Sequence, residues 1–512
     1  MHSRFWRNIV WPVLALSTAA WAETANSCAN LTAFKAPGVE ITKAELVPYG
    51  TTVPNLYSPG HSAPIPAHCR VEGVINRRTG VGGEEFGINF ALAMPEKWNG
   101  DFLMQGGGGS NGVVLPPLGL NAAGDTPGLM RGFAVVSTDT GHKSRGGFDF
   151  GFVRDEQAAL DFDYLANAEV ATLVKQVIAQ YYGKAAAFSY FSGCSTGGRE
   201  GMILSQRYPT VFNGIISGDP AMRTGLSNLA IGKWIPVALN QIAPKDAGGK
   251  PIIAQAISDA DRKLIKDALL QKCDAKDGVA DGMISDPLGC DFDPAALTCK
   301  EGHSESCLSP EKVAAIKKAL GGPKTSEGVQ VYPGFLYDTG IAAGGPIRGI
   351  LSPGPGIFGP ATTAMEVDVE KEALAAAQPL VDSMSTNLTT FSGHGGKLIF
   401  YHGDSDPWFS PLDTFGYYKD MSAANGGLEA VSKWGQFYFV PGMSHCGGGS
   451  SLDQFDFLGA IVNWVEKGTA PASVIATGKA FPGRSRPLCP YPKHAQYKGS
   501  GDTEDANNFE CR

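Results

Sequence analysis

The pentad Gly193-Cys194-Ser195-Thr196-Gly197 constrains this chain more than any other feature, because of what flanks it. Before it runs an aromatic, apolar stretch at 187–192 (AFSYFS). After it comes GGREGMILSQRY, whose Met202, Ile203 and Leu204 suit a helix packed on a sheet. A G-x-S-x-G turn between a strand and a helix holds its serine exposed and strained, as a nucleophile. The pentad therefore predicts an α/β fold with Ser195 at a sheet edge. A cysteine on each side of the chemistry adds to this: Cys194 precedes Ser195, and Cys446 follows His445 in Ser444-His445-Cys446. A bond between them would tie a nucleophile loop to a base loop.

A second match, Gly108-Gly109-Ser110-Asn111-Gly112, shows that the pattern alone is weak. With glycine this common, about half a chance match is expected in a chain this long. Context separates the two. Ser110 is followed by NGVVLPPLG, where Pro116 and Pro117 oppose a helix. The glycines Gly106 to Gly109, directly after the strand-like FLMQ, suit a different task. The backbone N–H of Thr196 and an N–H from such a glycine loop are the expected donors to a developing oxyanion.

Elsewhere, apolar runs at 86–93, 102–105, 133–138, 214–217, 397–401 and 436–440 read as strands. Helical spacing appears at about 163–182, from the pentad through Arg207, at 258–272 and at about 453–467. Alternation of the two predicts an α/β-hydrolase core with a large insertion. The chain changes character between about 221 and 384, where cysteines and glycine-proline loops accumulate. The expected organisation is a signal peptide at 1–22, core at 23–221, a lid domain at 222–384 and core again at 385–512.

α/β-hydrolases order their triad as serine, then acid, then histidine. Of the five histidines after Ser195, His303 falls in the cysteine-rich lid and His494 in the terminal tail, leaving His394, His402 and His445. Only His445 follows a strong strand (QFYFVPGM) within a glycine-rich loop, so it is the expected base. The loop after KLIFY reads His402-Gly403-Asp404-Ser405-Asp406-Pro407. Asp406 is the expected acid, deeper in the loop and stiffened by Pro407, with Asp404 as the alternative and His402 as a structural residue.

The N-terminus reads as an export signal: Arg4 and Arg7, an apolar run at 9–20, and Ala20-Trp21-Ala22 as the cleavage site. No later segment has the roughly 18 uninterrupted apolar residues of a membrane span, so the mature protein is expected to be secreted or periplasmic. All ten cysteines lie beyond that cut, an even count that implies disulfides in an exported chain. Loop-closure entropy favours the local pairs Cys28–Cys69, Cys273–Cys290, Cys299–Cys307 and Cys489–Cys511, which leaves Cys194 for Cys446. Other connectivities remain open to ten cysteines. A net charge of −8 argues against nucleic acid as a partner.

Within CDAKDGVADGMISDPLGC (273–290), Asp274, Asp277 and Asp281 alternate with Gly278 and Gly282. Oxygen donors on so tight a curl suit Ca²⁺, at a spacing unlike that of an EF-hand. Such a site would be structural, bracing the lid, and no organic cofactor is implied.

These motifs together, GCSTGGREGMILSQRYP, YHGDSDP, VPGMSHC, CDAKDGVADG and RPLCPYP, resemble the tannase and feruloyl esterase family, from about Cys28 to Cys511. The resemblance implies a secreted serine carboxylesterase with the triad Ser195, Asp406 and His445 beside a Cys194–Cys446 bond. It also implies Gly109 as the glycine-loop oxyanion donor, and Val279 and Met283 carbonyls as calcium ligands with the three aspartates. Phe409 matches an aromatic beside the scissile ester. Family members that hydrolyse mono(2-hydroxyethyl) terephthalate carry a longer stretch after YDTG, with an arginine for the substrate's free carboxylate. Here that region is the shorter 341–365, and no position matches the arginine, although Arg348 lies nearby. The expected substrate is thus a small ester of a hydroxycinnamic or hydroxybenzoic acid, feruloyl or galloyl, with the terephthalate ester as the alternative.

Overall fold

Apolar side chains on both faces of successive strands explain the architecture. The computed structural model describes residues 27–54, 61–300, 306–343, 347–352 and 362–512. The expected signal segment and His303 lie outside the described residues. Strands β1 (Val39–Val47), β2 (His68–Thr79), β3 (Glu85–Pro95), β4 (Phe102–Gln105), β5 (Ala134–Thr138), β6 (Ser189–Cys194), β7 (Gly214–Gly218), β8 (Lys397–Gly403) and β9 (Gly435–Val440) form one sheet. Its order is β1-β2-β3-β5-β4-β6-β7-β8-β9. Pairing is antiparallel from β1 through β3 to β5, and parallel from β5 to β9.

Parallel strands covered on both faces are apolar throughout rather than alternating. In β6, Phe191 faces one cluster and Tyr190 the other; in β8, Leu398 and Phe400 oppose Ile399 in the same way. The first face is covered by the helix Ala166–Tyr182, through Val170, Val174 and Val177, and the second by Phe457–Lys467, through Ile461 and Trp464. Each such side chain contributes about 1.5–3 kcal/mol of burial.

Two helix starts differ from expectation. The helix expected from 163 begins at Glu156, where the Asp155 carboxylate accepts the Ala158 N–H, and passes through a π turn at Asp161–Leu165 before Ala166. The last helix begins at Phe457, not 453, because the Asp456 side chain caps it from the Gly459 N–H. β1 and β2, and the short strands after 467, were not legible as strands.

Between β7 and β8 the chain builds a separate apolar cluster, including Ile265, Ile316, Leu320, Tyr332 and Phe335. The helix Asp259–Cys273 there opens on a capping box, with Ser258 and Asp261 each bonding the other's backbone N–H. All five expected cysteine pairs are bonded: 28–69, 194–446, 273–290, 299–307 and 489–511. No helix among the described residues is long and apolar enough to cross a membrane.

Candidate active site

Register puts the site where the sheet ends. Cys194 of β6 pairs with Gly218 of β7, which pairs with Tyr401 of β8, so the residues after these strands emerge along one edge. Carboxyl ends of parallel strands are where open α/β sheets place ligands. Ser195 sits there with φ 63° and ψ −123°, between β6 and the helix Thr196–Arg207. A left-handed non-glycine residue costs about 1–3 kcal/mol and persists only where neighbours over-determine it. Here the Ser195 N–H donates to the Gly218 carbonyl at 3.0 Å, and its carbonyl accepts from Ala221 at 3.1 Å. Ser110, in the second pentad, is wholly buried and precedes no helix.

His445 Nδ1 is 2.7 Å from Asp406 Oδ2, so its Nδ1–H donates and Nε2 is left as a base. Asp406 Oδ1 accepts the N–H groups of Trp408 at 2.8 Å and Phe409 at 3.2 Å, which fixes the carboxylate within its own turn. Burial alone would push this carboxyl up; the His445 and His402 imidazoles beside it hold it well below the usual range. His402, expected to be structural, therefore also touches the acid, with Nε2 3.3 Å from Asp406 Oδ2 and 3.0 Å from the Phe409 carbonyl. Asp404 is buried without a hydrogen-bond partner for either carboxyl oxygen, and burial pushes it well up. His445 pairs with Asp406, not with this alternative. The Cys194–Cys446 bond, across Cα atoms 6.0 Å apart, joins the residue before Ser195 to the residue after His445.

The expected oxyanion donors lie against each other. The Thr196 hydroxyl donates to the Gly109 carbonyl, and the Gly107 N–H donates to Glu200 Oε2 at 3.1 Å. A Cβ on Gly197 would stand 2.7 Å from the Gly107 carbonyl oxygen, so that glycine permits the approach. Thr196 begins a twelve-residue helix, whose first N–H groups lack intrahelical partners and favour negative charge. Glu200, buried and bonded also to the Asn111 side chain, is an anchor that sequence reasoning missed.

Ser195, Thr196 and Gly109 open into a cavity of about 300 Å³. Its walls carry Phe148, Phe150, Phe162, Trp408 and the expected Phe409. Trp408 and Phe409 ring centres lie 4.5 and 5.4 Å from that of His445. Phe148 and Phe150, 42% and 40% exposed, come from the loop after β5 and were not anticipated. Among the described lining residues the charged ones are Asp163 and Arg199. The Arg199 guanidinium is buried and donates to the carbonyls of Asp163 at 3.1 Å and Phe162 at 3.2 Å. Arg348 is exposed and is not among them. A second hollow of about 380 Å³, between Asp286, Tyr491 and His494, contains no member of the triad set.

The acidic loop lies elsewhere. Asp274 accepts the N–H groups of Asp281 and Gly282, both at 2.9 Å, and Asp277 accepts the Ser285 hydroxyl at 2.6 Å and the Val279 N–H at 3.2 Å. Asp281 accepts the Met283 N–H at 3.1 Å and pairs with Arg486. In this conformation the carboxylates accept from loop N–H groups, the Ser285 hydroxyl and the Arg486 guanidinium, yet each oxygen keeps a second lone pair. Hard-oxygen donors on a loop turned by Gly278 and Gly282, both at left-handed φ, fit Ca²⁺ in kind. The contacts to Arg486, and from Arg484 Nη1 to the Asp281 carbonyl at 2.7 Å, tie the loop to the C-terminal segment.

The chain matches the family described as tannase and feruloyl esterase over residues 69–351 and 360–512. A mono(2-hydroxyethyl) terephthalate hydrolase of Piscinibacter sakaiensis is 38% identical, over 88% of this chain and 85% of its own length. A probable feruloyl esterase of Arthroderma benhamiae is 28% identical, over 95% and 93%. The crystal structure of feruloyl esterase B from Aspergillus oryzae shares the fold, with a TM-score of 0.79 at 24% identity, over 96% of this chain and 100% of that one. The chain belongs to the tannase and feruloyl esterase family, and is a carboxylic ester hydrolase on an α/β-hydrolase fold.

Proposed function

We propose that Ser195, His445 and Asp406 form the catalytic triad of this hydrolase, and that it cleaves esters of aromatic acids. The observation that carries the reading is the His445–Asp406 bond at 2.7 Å, on a loop joined by Cys194–Cys446 to the strained Ser195 turn. Ser195 Oγ attacks the ester carbonyl while His445 Nε2 takes its proton. The N–H groups of Thr196 and Gly109 receive the oxyanion. The imidazolium returns the proton to the departing alkoxide, leaving an acyl enzyme. Water, deprotonated by the same imidazole, then releases the acid and restores Ser195.

The cavity supports an aryl acyl group without a free carboxylate, of the feruloyl or galloyl kind. Its walls are aromatic, and Phe409 among them is proposed to stack on the acyl ring. Its cation, Arg199, is already committed to two carbonyls, and Asp163 would repel an acid group. The 38% identity to a terephthalate-monoester hydrolase favours a second reading, in which that ester is the substrate.

Asp274, Asp277 and Asp281, with the Val279 and Met283 carbonyls, are proposed as ligands of a structural Ca²⁺, which takes no part in the chemistry. Five disulfides support passage through an oxidising compartment, and hence export with cleavage after Ala22, to a secreted or periplasmic location.

The test is kcat/KM on methyl ferulate, methyl gallate and mono(2-hydroxyethyl) terephthalate side by side, with Ser195→Ala as control. Preference for ferulate or gallate is expected, and preference for the terephthalate ester overturns the substrate reading. Ser195→Ala activity above about a hundredth of wild type overturns the nucleophile.

A further inference from the structure

Asp219 directly follows β7, and its side chain is wholly buried. One carboxylate oxygen, Oδ1, accepts the N–H of Gly403 at 2.7 Å. The other, Oδ2, accepts the N–H of Cys446 at 2.6 Å. Gly403 ends β8 three residues before Asp406, and Cys446 follows His445. A single side chain thus bonds the loop of the acid and the loop of the base. Its own backbone is equally committed, with its N–H on the Tyr401 carbonyl at 2.9 Å and φ in the left-handed region at 35°. The preceding residue, Gly218, accepts the Ser195 N–H at 3.0 Å, so the nucleophile hangs on the same turn.

We propose that Asp219 is a positioning residue for ester hydrolysis, its two carboxylate oxygens setting the spacing of the Asp406 and His445 loops through the N–H groups of Gly403 and Cys446. The inference rests on the triad reading above. The chemistry requires a carboxylate: two N–H donors arriving at two oxygens need two acceptors. Asparagine offers one oxygen and turns an NH₂ toward the other donor. The Cys194–Cys446 bond limits how far the base loop can travel, whereas Asp219 fixes where along that tether it stops. Cys446, itself left-handed at φ 60°, is the residue that bond secures.

The groups facing Asp219 are Tyr401 and His402 from β8, Asp404 and Asp406 from the acid loop, and His445 from the base loop. Burial pushes its carboxyl above the usual range and the Asp406 carboxylate adds to the push, while the two imidazoles and the Gly403 N–H offset part of it.

Asp219→Asn is compared with wild type and Ser195→Ala on methyl ferulate. The expected result is kcat lowered about a hundredfold, the scale of a misplaced catalytic group. KM should stay within about threefold, so that the loss falls on kcat. A folded Asp219→Asn protein with wild-type kcat, beside an inactive Ser195→Ala, overturns the positioning role alone. An active Ser195→Ala overturns the triad reading instead. Should Asp219→Asn fail to fold, hydrogen exchange of the wild type decides. Segments 403–409 and 441–447 are expected to lose protection together as pH falls, and opening of one without the other overturns the proposal.

Discussion

Asp406 Oδ2 receives His445 Nδ1 at 2.7 Å while His402 Nε2 approaches the same oxygen at 3.3 Å. A carboxylate wedged between two imidazoles can hold one tautomer of His445 only while it remains an acceptor. Asp406→Asn would present an amide in place of that acceptor and favour the tautomer with Nε2 protonated. We predict a loss of kcat of about ten-thousand-fold with folding retained, the scale of holding a catalytic histidine in the wrong tautomer. Steady-state kinetics beside a thermal melt would measure both.

Thr196 is expected to act twice, through its N–H and through the hydroxyl that donates to the Gly109 carbonyl. Thr196→Val removes only the second contact and leaves the Gly109 carbonyl without its donor. The glycine loop then loses a latch beside the oxyanion it must meet. kcat should fall about tenfold or more with KM little changed, since one oxyanion donor can be worth about 10²–10³. Thr196→Ser should recover most of it. Equal losses in both variants would assign the effect to packing.

The residues of the proposed triad could be picked out because their signals are local: a strand, a turn and a helix around Ser195, and loops with their own strands before Asp406 and His445. The choice of Asp406 over Asp404, two residues apart, followed from loop depth, and the structure turns only Asp406 toward His445. Asp219 left no such trace. It is a loop aspartate whose partners, Gly403 and Cys446, are 184 and 227 residues away, and only the assembled sheet brings them together. Phe148 and Phe150 were missed for a related reason, since aromatic residues in a glycine-rich loop look the same whether they face solvent or a cavity. The early helix start, by contrast, was written locally in Asp155-Glu156 and overlooked.

Asp155 links that helix start to the cavity. Its carboxylate pairs with Arg78 and accepts the N–H groups of Val81 at 3.1 Å and Ala158 at 3.0 Å, at the end of the loop that carries Phe148, Phe150 and Val153. The Arg78 guanidinium holds the Asp155 carboxyl well below the usual range. A depressed acid stabilises the fold above its unfolded value and stops doing so as pH falls through the folded one. Asp155→Asn should therefore cost about 1–3 kcal/mol at neutral pH and raise KM by loosening the wall. The stability gap to wild type should persist through mildly acid conditions and close only below about pH 3.9. Urea titrations at several pH values check this, and a gap that closes near neutrality contradicts it.

Calcium removal tests the acidic loop. The Asp277 carboxyl is pushed up by burial, and Asp281 and Asp274 add to the push, so a bound cation would relieve a repulsion built into the fold. Bound at a thousand times its Kd, Ca²⁺ would add about 4 kcal/mol of stability. A chelator should lower Tm, and added Ca²⁺, but not equal Mg²⁺, should restore it. kcat at temperatures well below the melt should hardly move, because the loop contacts the C-terminal segment rather than the cavity.

The cavity's charge pattern makes substrate choice adjustable. Arg199 is spent on two carbonyls, so a terephthalate monoester brings a carboxylate that meets no free cation among the described lining residues. Val153, 51% exposed at the cavity wall, offers a place to add one. An arginine there would reach over the mouth without disturbing Ser195 or the glycine loop. Solvent-exposed ion pairs are worth about 0.2–1 kcal/mol, so Val153→Arg should raise kcat/KM for the terephthalate monoester relative to methyl ferulate by up to about fivefold. The gain should shrink as salt rises, because screening weakens the pair. A ratio that does not move, or a wild-type enzyme that already prefers the terephthalate ester, would mean that a cation outside this wall already serves the carboxylate.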